Sequence, residues 1–368
     1  MIEPRSATLS LVALVLALST ARPTGAQDPA EDEWTVSPEA IEFARNAPIF
    51  QSDALLELTL SSDFRTLRRE DRGEAEPQRR DATLAFTTAD GSPLTLEIRV
   101  EARGNWRRNP RNCAFPPLWI DLDKDDEALG GTVFEGQNRL KLVLPCRPGN
   151  GAYEEYVYKE YLVYPAYNVL TEASFRARPA RITIVDTSGG DDPFTANAFV
   201  LEHKDQMAAR NEAVPIELTQ LHPALAAQEE AAVMEVFNYM IGMTDYTGAF
   251  MHNVEPVRHM DGRMILVPYD FDWSGTVNAR YASPDPSLPI RNVRQRVFQG
   301  MCRDVDYASI FARFIERREA ILGVVRDFAH LDEDRREDIV EYWEAFFEMA
   351  ADPRRQERIL RDCTAIPS

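Results

Sequence analysis

Two short segments in the second half of the sequence carry side chains that could bind a divalent cation. The first reads DYTGAFMHN, from Asp245 to Asn253, and the second reads VPYDFDWSG and contains Asp270 and Asp272. An Asp-Gly turn at residues 261–262 lies between them and predicts a hairpin that folds the second segment back beside the first. Carboxylate and amide oxygens are the ligands that Mg²⁺ and Mn²⁺ prefer, with water and phosphate oxygens completing the shell. The two segments therefore predict a metal site that also binds a phosphate.

The two aspartates of the second segment stand two residues apart at the end of an apolar strand. If the extended geometry continues, Asp270 and Asp272 leave the same face and can share one cation, while Phe271 points into the core. Two alternatives are open: the carboxylates could form an Asx turn that caps the Trp273-Ser274 corner, or the site could hold Ca²⁺. Calcium takes about six to eight oxygens, more than this hairpin supplies, which favours Mg²⁺ or Mn²⁺.

The first segment offers groups that could act on a hydroxyl. Asn253 can give its carbonyl oxygen to a cation, and Asp245, directly after a predicted helix, can accept a hydrogen bond from an acceptor hydroxyl. His252 alternates with Asn253 along an extended chain and therefore points to the opposite face. This alternation favours a packed or hydrogen-bonded core histidine over a catalytic one.

Basic side chains that could contact phosphate oxygens occur in the first half of the sequence. Arg103, followed by Gly104-Asn105, comes after a predicted strand, where a guanidinium and backbone amides can approach an anion. The alternative is that Arg103 anchors the turn or pairs with a surface carboxylate. Lys141 sits in an apolar alternating strand and Glu202 ends another, so the two could form an ion pair or contact a nucleotide. Lys141 could equally lie on the solvated face of its strand, and Lys159 is a further candidate for the same role.

Hydrophobic periodicity divides the chain into a β-rich half and a helical half. Strands are predicted in the first half by period-two alternation at residues 56–60, 83–88, 94–101, 139–144, 180–185 and 196–201. One long helix is inserted there between residues 154 and 172, with a kink at Pro165. Helices are predicted in the second half at residues 228–243, 307–328, 332–350 and 353–362.

The composition and the N-terminus indicate an exported protein. Residues 1–26 contain Arg5, an apolar stretch and then small residues, which is typical of a secretory signal peptide. No later segment approaches the ~20 apolar residues of a membrane span, so no integral membrane segment is expected. The formal net charge of −19 excludes nucleic acid as a favoured partner. We therefore expect a periplasmic or extracellular protein.

Four cysteines in an exported chain predict two disulfides. Three connectivities are possible. Because Cys113 and Cys146 both flank strands of the first half, and Cys302 and Cys363 both lie in the helical half, we predict those two pairings. Each should contribute ~2–4 kcal/mol of stability by restricting the unfolded chain.

The succession of these motifs resembles the spore-coat protein H (CotH) kinase-like family. The two acidic segments are the most specific part of the resemblance, which runs in the family's order from about residue 95 to residue 275. The other matching pieces are RGNW from Arg103, NRLKLVL from Asn138, the helix from Tyr156, ARITIVD from Ala180 and FVLEHKD from Phe199.

The resemblance implies an atypical protein-kinase fold that uses ATP and a divalent cation to phosphorylate protein hydroxyls. Carried over residue by residue, it implies that Asp245 is the catalytic aspartate and that Asn253 and Asp270 bind the metal. It also matches Lys141 to the phosphate-contacting lysine and Glu202 to its acidic partner.

Three departures from ordinary kinases are visible. Asp245 and Asn253 are separated by a longer interval, Asp272 replaces the glycine of D-F-G, and the chain contains no G-x-G-x-x-G loop. Asp272 adds a second carboxylate to the expected metal site. The Gly104-Asn105 turn can bring the Arg103 guanidinium toward the cleft between the lobes, where it could grip nucleotide phosphates.

The sequence therefore predicts an α+β, atypical protein-kinase-like fold with two lobes. After the signal peptide (1–26) and an N-terminal segment (27–53), residues 54–205 would form a β-rich N-lobe. Residues 206–368 would form a mainly helical C-lobe that carries the acidic hairpin.

The predicted function is phosphoryl transfer from ATP, with Mg²⁺ or Mn²⁺, to serine or threonine hydroxyls of an exported protein substrate. ATP is scarce outside the cytoplasm, so a rival class is open: a non-catalytic envelope or surface protein that uses the same fold for binding or structure. A purely structural protein has no need to keep Asp245, Asn253, Asp270 and Asp272 together. That set favours the enzyme.

Overall fold

The computed structural model describes residues 34–104 and 106–367. The predicted signal peptide, residues 1–26, lies outside the described residues, as does Asn105. From Trp34 onward the chain forms one compact unit. No helix in the described ranges is both long and apolar enough to cross a bilayer.

Seven strands of the first half close into a β-barrel. They are β1 (Leu56–Ser62), β2 (Arg80–Thr87), β3 (Pro93–Ala102), β4 (Leu118–Asp121), β5 (Arg139–Val143), β6 (Ala177–Asp186) and β7 (Phe194–Leu201). Their order around the barrel is β1-β2-β3-β4-β5-β7-β6. Neighbouring strands are antiparallel except β1 and β6, whose parallel pairing closes the ring.

The barrel interior is apolar because each strand alternates. In β1 the side chains of Leu56, Leu58 and Leu60 are buried, whereas Glu57 between them is exposed. Every strand adds inward-facing apolar side chains to this core, and in β5 and β7 several residues of the outward face are buried as well.

The predicted two-lobed, kinase-like α+β fold is wrong. The first half is not an open β-rich lobe, because β1 and β6 pair and close a seven-stranded barrel. Leu58 lies opposite Ile182 across the closing pair. Alternation along a strand determines which side chains face inward but not which distant strand becomes the neighbour. The pattern therefore predicted the strands without predicting their closure.

Helices and a small second sheet surround and follow the barrel. The sheet is antiparallel, in the order β10-β9-β8, and consists of β8 (Ala213–Pro215), β9 (Val254–His259) and β10 (Met264–Pro268). The α-helices are α1 (Pro38–Asn46), α2 (Phe64–Glu70), α3 (Gly151–Asn168), α4 (Lys204–Arg210), α5 (Gln228–Ile241), α6 (Tyr307–Glu316), α7 (Arg318–Arg326), α8 (Glu333–Ala350) and α9 (Pro353–Leu360).

Most predicted elements are present within a few residues of their expected bounds. The long inserted helix is α3, which contains Pro165 and packs against β7 and α7. The helix predicted over residues 307–328 is instead two helices that meet at Arg317. Five short elements were not predicted from the sequence, namely β4, β8, α1, α2 and α4.

Both predicted disulfides are confirmed. Cys113 bonds to Cys146 and Cys302 bonds to Cys363. The first joins the β3–β4 connection to the end of β5, and the second joins the segment before α6 to the residues after α9. Two disulfides in the described chain are typical of an exported protein.

A close backbone approach holds the two acidic segments beside each other. Gly242, which ends α5 with a φ of +68°, accepts a hydrogen bond at its carbonyl from Gly275 N (3.0 Å). The next residue, Thr276, donates its N–H to Ile241 O at 3.0 Å. A Cβ at Gly242 would crowd Tyr342 Oη and would lie 3.0 Å from Val293 O. The loop after α5 and the loop after β10 are therefore fixed to one another.

We expect Gly242→Ala to lower the free energy of unfolding by about 3 kcal/mol, because the left-handed backbone and the crowded Cβ both oppose alanine. Gly91→Ala is the matched control: Gly91 has a φ of +86° and nothing within 4 Å of its Cβ position. That variant should lose only about 1 kcal/mol. Equilibrium urea unfolding measures both values, and equal losses would contradict the crowding argument.

Candidate functional site

A cavity of about 450 Å³ lies where the β3–β4 connection faces the two acidic segments. Five of the predicted site residues line it: Arg103, Asp245, Asn253, Asp270 and Asp272. Lys141 and Glu202 do not line it. Residues from three separate parts of the chain thus meet at one place.

The first acidic segment forms a hydrogen-bonded group around Asp245. Asn253 Nδ2 donates to the main-chain oxygen of Asp245 at 2.7 Å and to its Oδ2 at 3.2 Å. His252 Nε2 lies 3.0 Å from Asp245 Oδ1. The His252 side chain is 56% exposed, so the expectation of a core histidine is wrong. Thr247 and His252 form only an isolated bridge, and Met251 and Asn253 on either side of His252 have left-handed backbones, so the regular alternation of a strand does not apply here.

The backbone is unusual at both acidic segments. Met251, Asn253 and Asp270 all have φ between 51° and 62°, in the left-handed region that non-glycine residues seldom adopt. Such conformations cost about 1–3 kcal/mol each and concentrate at functional sites. Extended geometry therefore does not continue from β10 to Asp272 as predicted. Asp270 instead precedes a 3₁₀ turn, Phe271–Trp273, and makes no side-chain cap there.

Asp270 is positioned by α3 and by the core. Its N–H donates to Tyr164 Oη at 3.0 Å, and the following Phe271 is buried with its ring 4.9 Å from the Tyr164 ring. The prediction that Phe271 points into the core is confirmed. Among the described residues, none donates a hydrogen bond to the Asp270 carboxylate, which lines the cavity. These oxygens are therefore open to a cation.

Asp272 is held by two partners that sequence analysis missed. Arg107 donates to Asp272 Oδ2 and lies 3.8 Å from Glu160 Oε2, and Tyr281 Oη donates to the same Asp272 oxygen at 3.0 Å. Burial raises the pKa of Asp272 to about 6, although the Arg107 guanidinium lowers it. Burial, with Asp272 nearby, also raises the pKa of Glu160 well above its usual range. One guanidinium thus lies beside two buried carboxyls, those of Asp272 and Glu160.

Arg103 has no acidic partner in the described part of the chain. The main-chain N–H of Arg103 donates to Pro117 O at 2.9 Å, whereas its guanidinium lies within 4.0 Å of no carboxylate among the described residues. The guanidinium instead lies 5.4 Å from the centroid of the Trp119 ring. Burial lowers the pKa of Arg103, while Asp270 raises it. A charged group with these surroundings is a ready site for an anion.

Lys141 is buried rather than solvated, which excludes the alternative of an exposed strand face. Its Nζ lies 4.7 Å from the Tyr269 ring centroid, 5.2 Å from that of Phe175 and 5.5 Å from that of Trp119. No carboxylate of the described residues lies within ion-pair distance of it. Burial, together with the nearby Arg103 guanidinium, lowers the pKa of Lys141 from 10.5 to about 7.

The predicted partnership of Lys141 with Glu202 is not formed in the described structure. Lys141 lies opposite Leu201 across β5 and β7, so the next residue, Glu202, turns to the other face. Glu202 is fully buried and accepts hydrogen bonds from Arg210 Nη2 and from Arg176 N, both at 2.9 Å. Glu202 therefore belongs to a buried ion pair with Arg210 at the end of β7, outside the cavity lining.

Arg107 and Glu160 were not predicted as site residues, because their roles depend on contacts between residues that are far apart in the sequence. Arg107 lies close to the quoted RGNW piece, and Glu160 lies on the predicted aromatic helix, but a spacing pattern does not reveal that they meet. A charged residue on the buried side of an aromatic helix was the available signal for Glu160.

A second cavity, of about 470 Å³, adjoins the first. Asp245, His252 and Trp273 line both. The outer wall of the second cavity is the proline-rich segment 283–288, which includes Asp285. Asp245 therefore stands at the junction of an arginine-lined cavity and a cavity without lysine or arginine in its described lining.

The residues present fit a metal that shares its coordination with phosphate, not a closed protein site. No group of three or more His, Cys, Asp or Glu side chains in the described ranges could hold a metal by itself. Asp270 offers an unbonded carboxylate, and no described residue donates to Asp272 Oδ1. Magnesium is commonly bound through one or two carboxylates with phosphates and water.

No protein-family model matches the sequence, and no curated protein matches it. The resemblance to the CotH kinase-like family therefore stays a prediction from the motifs.

We expect Lys141→Met to stabilise the protein at pH 7, on the order of 1–3 kcal/mol, because it removes a buried cation without an acidic partner. The pH dependence should change as well. Between about pH 7 and pH 10.5 the unfolded chain keeps a proton on Lys141 that the folded chain has lost, so this residue makes stability rise with pH across that window.

Urea unfolding at several pH values measures both effects. The slope contributed by Lys141 should vanish in Lys141→Met and persist in Lys124→Met, since Lys124 is exposed. A variant that is destabilised at pH 7 would contradict the assignment of Lys141 as an unpaired buried cation.

Proposed function

We propose that this protein is a divalent-metal-dependent phosphotransferase. It would move a phosphoryl group from a nucleoside triphosphate such as ATP to a serine or threonine hydroxyl of an exported protein. The observation that carries the proposal is a cluster of unpaired charges. The Arg103 guanidinium and the Lys141 ammonium have no described acidic partner. Arg103 and Asp270 line the same cavity, and the unbonded Asp270 carboxylate raises the pKa of both Arg103 and Lys141.

Arg103 and Lys141 suit the phosphates of the donor. A guanidinium binds phosphate oxygens through two parallel hydrogen bonds, and a buried ammonium acts as a point charge behind it. An incoming polyphosphate would supply the negative charge that the protein itself lacks at this position. It would also favour the protonated form of Lys141.

Asp270 is the residue best suited to hold Mg²⁺ or Mn²⁺, together with Asn253 and the free oxygen of Asp272. When bound, the cation would neutralise charge on the transferring phosphate. Arg107 keeps Asp272 oriented, and Tyr164 orients the main chain of Asp270. Their role is to position ligands rather than to react.

Asp245 is suited to accept a hydrogen bond from the acceptor hydroxyl. It lies where the cavity for phosphates meets the second cavity, and Asn253 and His252 restrict its orientation. The acceptor would enter through the second cavity. The described lining of that cavity contains no lysine or arginine that would attract the donor phosphates there. The motif order that resembles the CotH kinase-like family supports the same assignment of Asp245.

A specific observation favours the rival, a non-catalytic binding protein. Both carboxylate oxygens of Asp245 already have partners, because His252 engages Oδ1 and Asn253 donates to Oδ2. An acceptor hydroxyl would therefore have to displace or share one of these two contacts in order to reach the carboxylate. The rival would bind the nucleotide or another anion without transferring phosphate.

Thermal unfolding of the chain without residues 1–26 tests the proposal. We expect stabilisation by ATP with Mn²⁺ or Mg²⁺ together, about 2.7 kcal/mol at 100-fold excess over the Kd, and none with either alone. Intact-mass measurement of an added exported protein then detects transfer. Stabilisation without transfer would favour the binding protein, and no stabilisation with any combination would exclude a nucleotide site.

A further inference from the structure

We propose that Trp106 holds the base of the donor nucleotide by stacking, and that the site accepts purine and pyrimidine bases alike. This inference rests on the proposed function and concerns a different part of the ligand. The phosphates would occupy the arginine and aspartate side of the first cavity, and the base would occupy its aromatic rim.

Trp106 is a large apolar side chain left exposed on the cavity wall. Its side chain is 42% exposed and lines the same cavity as Arg103 and Asp270. Its main-chain oxygen accepts from Asn112 Nδ2 at 2.9 Å, so the turn that carries the indole is fixed by its backbone. An exposed indole on a fixed turn offers a flat surface at low entropic cost to a ligand.

A group of aromatic rings supports the indole from behind. The Trp106 ring lies 5.7 Å from Tyr281 and 6.5 Å, edge to face, from Trp273. Tyr281 in turn stacks on Tyr153 at 6.0 Å. These contacts hold the indole plane in place, and an adjacent ring of a ligand would extend the same group.

Among the described residues, the lining that the barrel supplies near Trp106 offers few groups that could read the edge of a base. Each barrel strand has a neighbour on both sides, so the closed barrel leaves no free strand edge at β3, β4 or β5 for main-chain hydrogen bonds. Pro117, beside Trp106 in the lining, has no N–H, and its oxygen already accepts from Arg103 N. Arg107 is engaged by Asp272 and Glu160.

Stacking without edge recognition is tolerant of base identity. Every base presents a π face, and stacking on an aromatic side chain contributes to affinity for each of them. The donor site should therefore separate nucleotides from bare polyphosphate but should separate ATP from GTP, CTP and UTP only weakly.

Affinities of the chain without residues 1–26 for five Mn²⁺ complexes test the inference: ATP, GTP, CTP, UTP and inorganic tripolyphosphate. We expect the four nucleotides to bind within about ten-fold of one another, and ATP to bind roughly ten-fold or more tightly than tripolyphosphate. Trp106→Ala should reduce ATP affinity to that of tripolyphosphate while leaving tripolyphosphate unchanged. Trp106→Tyr should keep most of the difference.

Trp34→Ala is the matched control, because Trp34 stacks with Arg258 and does not line the cavity. It should leave all five affinities unchanged. Three results would overturn the inference: equal affinity of ATP and tripolyphosphate in the unaltered protein, an unchanged ratio of these two affinities in Trp106→Ala, or a preference for one base of more than about 100-fold. Binding of tripolyphosphate in the same experiments would still support the phosphate site. Failure of all five ligands to bind would overturn the proposed function, and the inference with it.

Discussion

Asp270→Asn is expected to weaken metal-dependent nucleotide binding by about 100-fold or more while leaving the fold intact. Replacing a residue that hydrogen-bonds to a metal ligand typically lowers metal affinity by about 10–100-fold. Removing the charge of a ligand itself should therefore lower the affinity at least as much. Asparagine is among the residues that most readily adopt a left-handed backbone, so the φ of 62° at Asp270 should be retained. The main-chain bond to Tyr164 does not involve the substituted side chain.

Titration of Mn²⁺ with ATP, followed by thermal unfolding, measures this loss. Asp90→Asn is the matched control, since Asp90 lies in the β2–β3 turn and accepts from Thr88 Oγ1 and Ser92 N, bonds that an amide oxygen can keep. It carries the same change of charge and should bind as the unaltered protein does. Unchanged affinity in Asp270→Asn would remove Asp270 from the metal site.

Asp245→Asn is expected to lower the rate of phosphoryl transfer by ~10²–10⁴-fold, the usual range for an acid–base group, while nucleotide affinity stays within a few-fold. The amide oxygen can still accept a hydrogen bond, so the contact with Asn253 can be kept. It cannot accept the proton of the acceptor hydroxyl.

Single-turnover transfer and equilibrium binding have to be measured on the same preparation to separate the two effects. Asp90→Asn again serves as the control and should transfer at the unaltered rate. A parallel loss of binding and transfer in Asp245→Asn would identify Asp245 as a ligand of the metal or the nucleotide. Full transfer activity would contradict its catalytic assignment.

The candidate site was largely visible in the sequence because its residues lie in short, distinctive segments. Asp245, Asn253, Asp270 and Asp272 were predicted to meet across an Asp261-Gly262 turn, and all four line one cavity. The turn sets the register of β9 and β10, which brings the ends of that hairpin together. Arg103 joined the prediction because it follows a strand.

The partners of those residues were not visible. Arg107 meets Asp272 and Glu160 only after the β3–β4 connection, α3 and the turn after β10 have packed together. His252 was expected in the core because an extended chain was assumed. The left-handed backbone at Met251 and Asn253 breaks that alternation and exposes its ring. A spacing rule fails wherever the backbone departs from the regular geometry on which it rests.

Local structure could be predicted from the order of the amino acids: where most strands and helices run, which faces of the strands are apolar, and which cysteines pair. These features follow from side-chain periodicity and from the position of each cysteine within its half of the chain. Two features could not be predicted in this way: the pairing of β1 with β6 that closes the barrel, and the orientation of Lys141 and Glu202 to different faces. Both depend on which distant strands become neighbours, a choice made by the summed burial of the whole core and not by any local pattern.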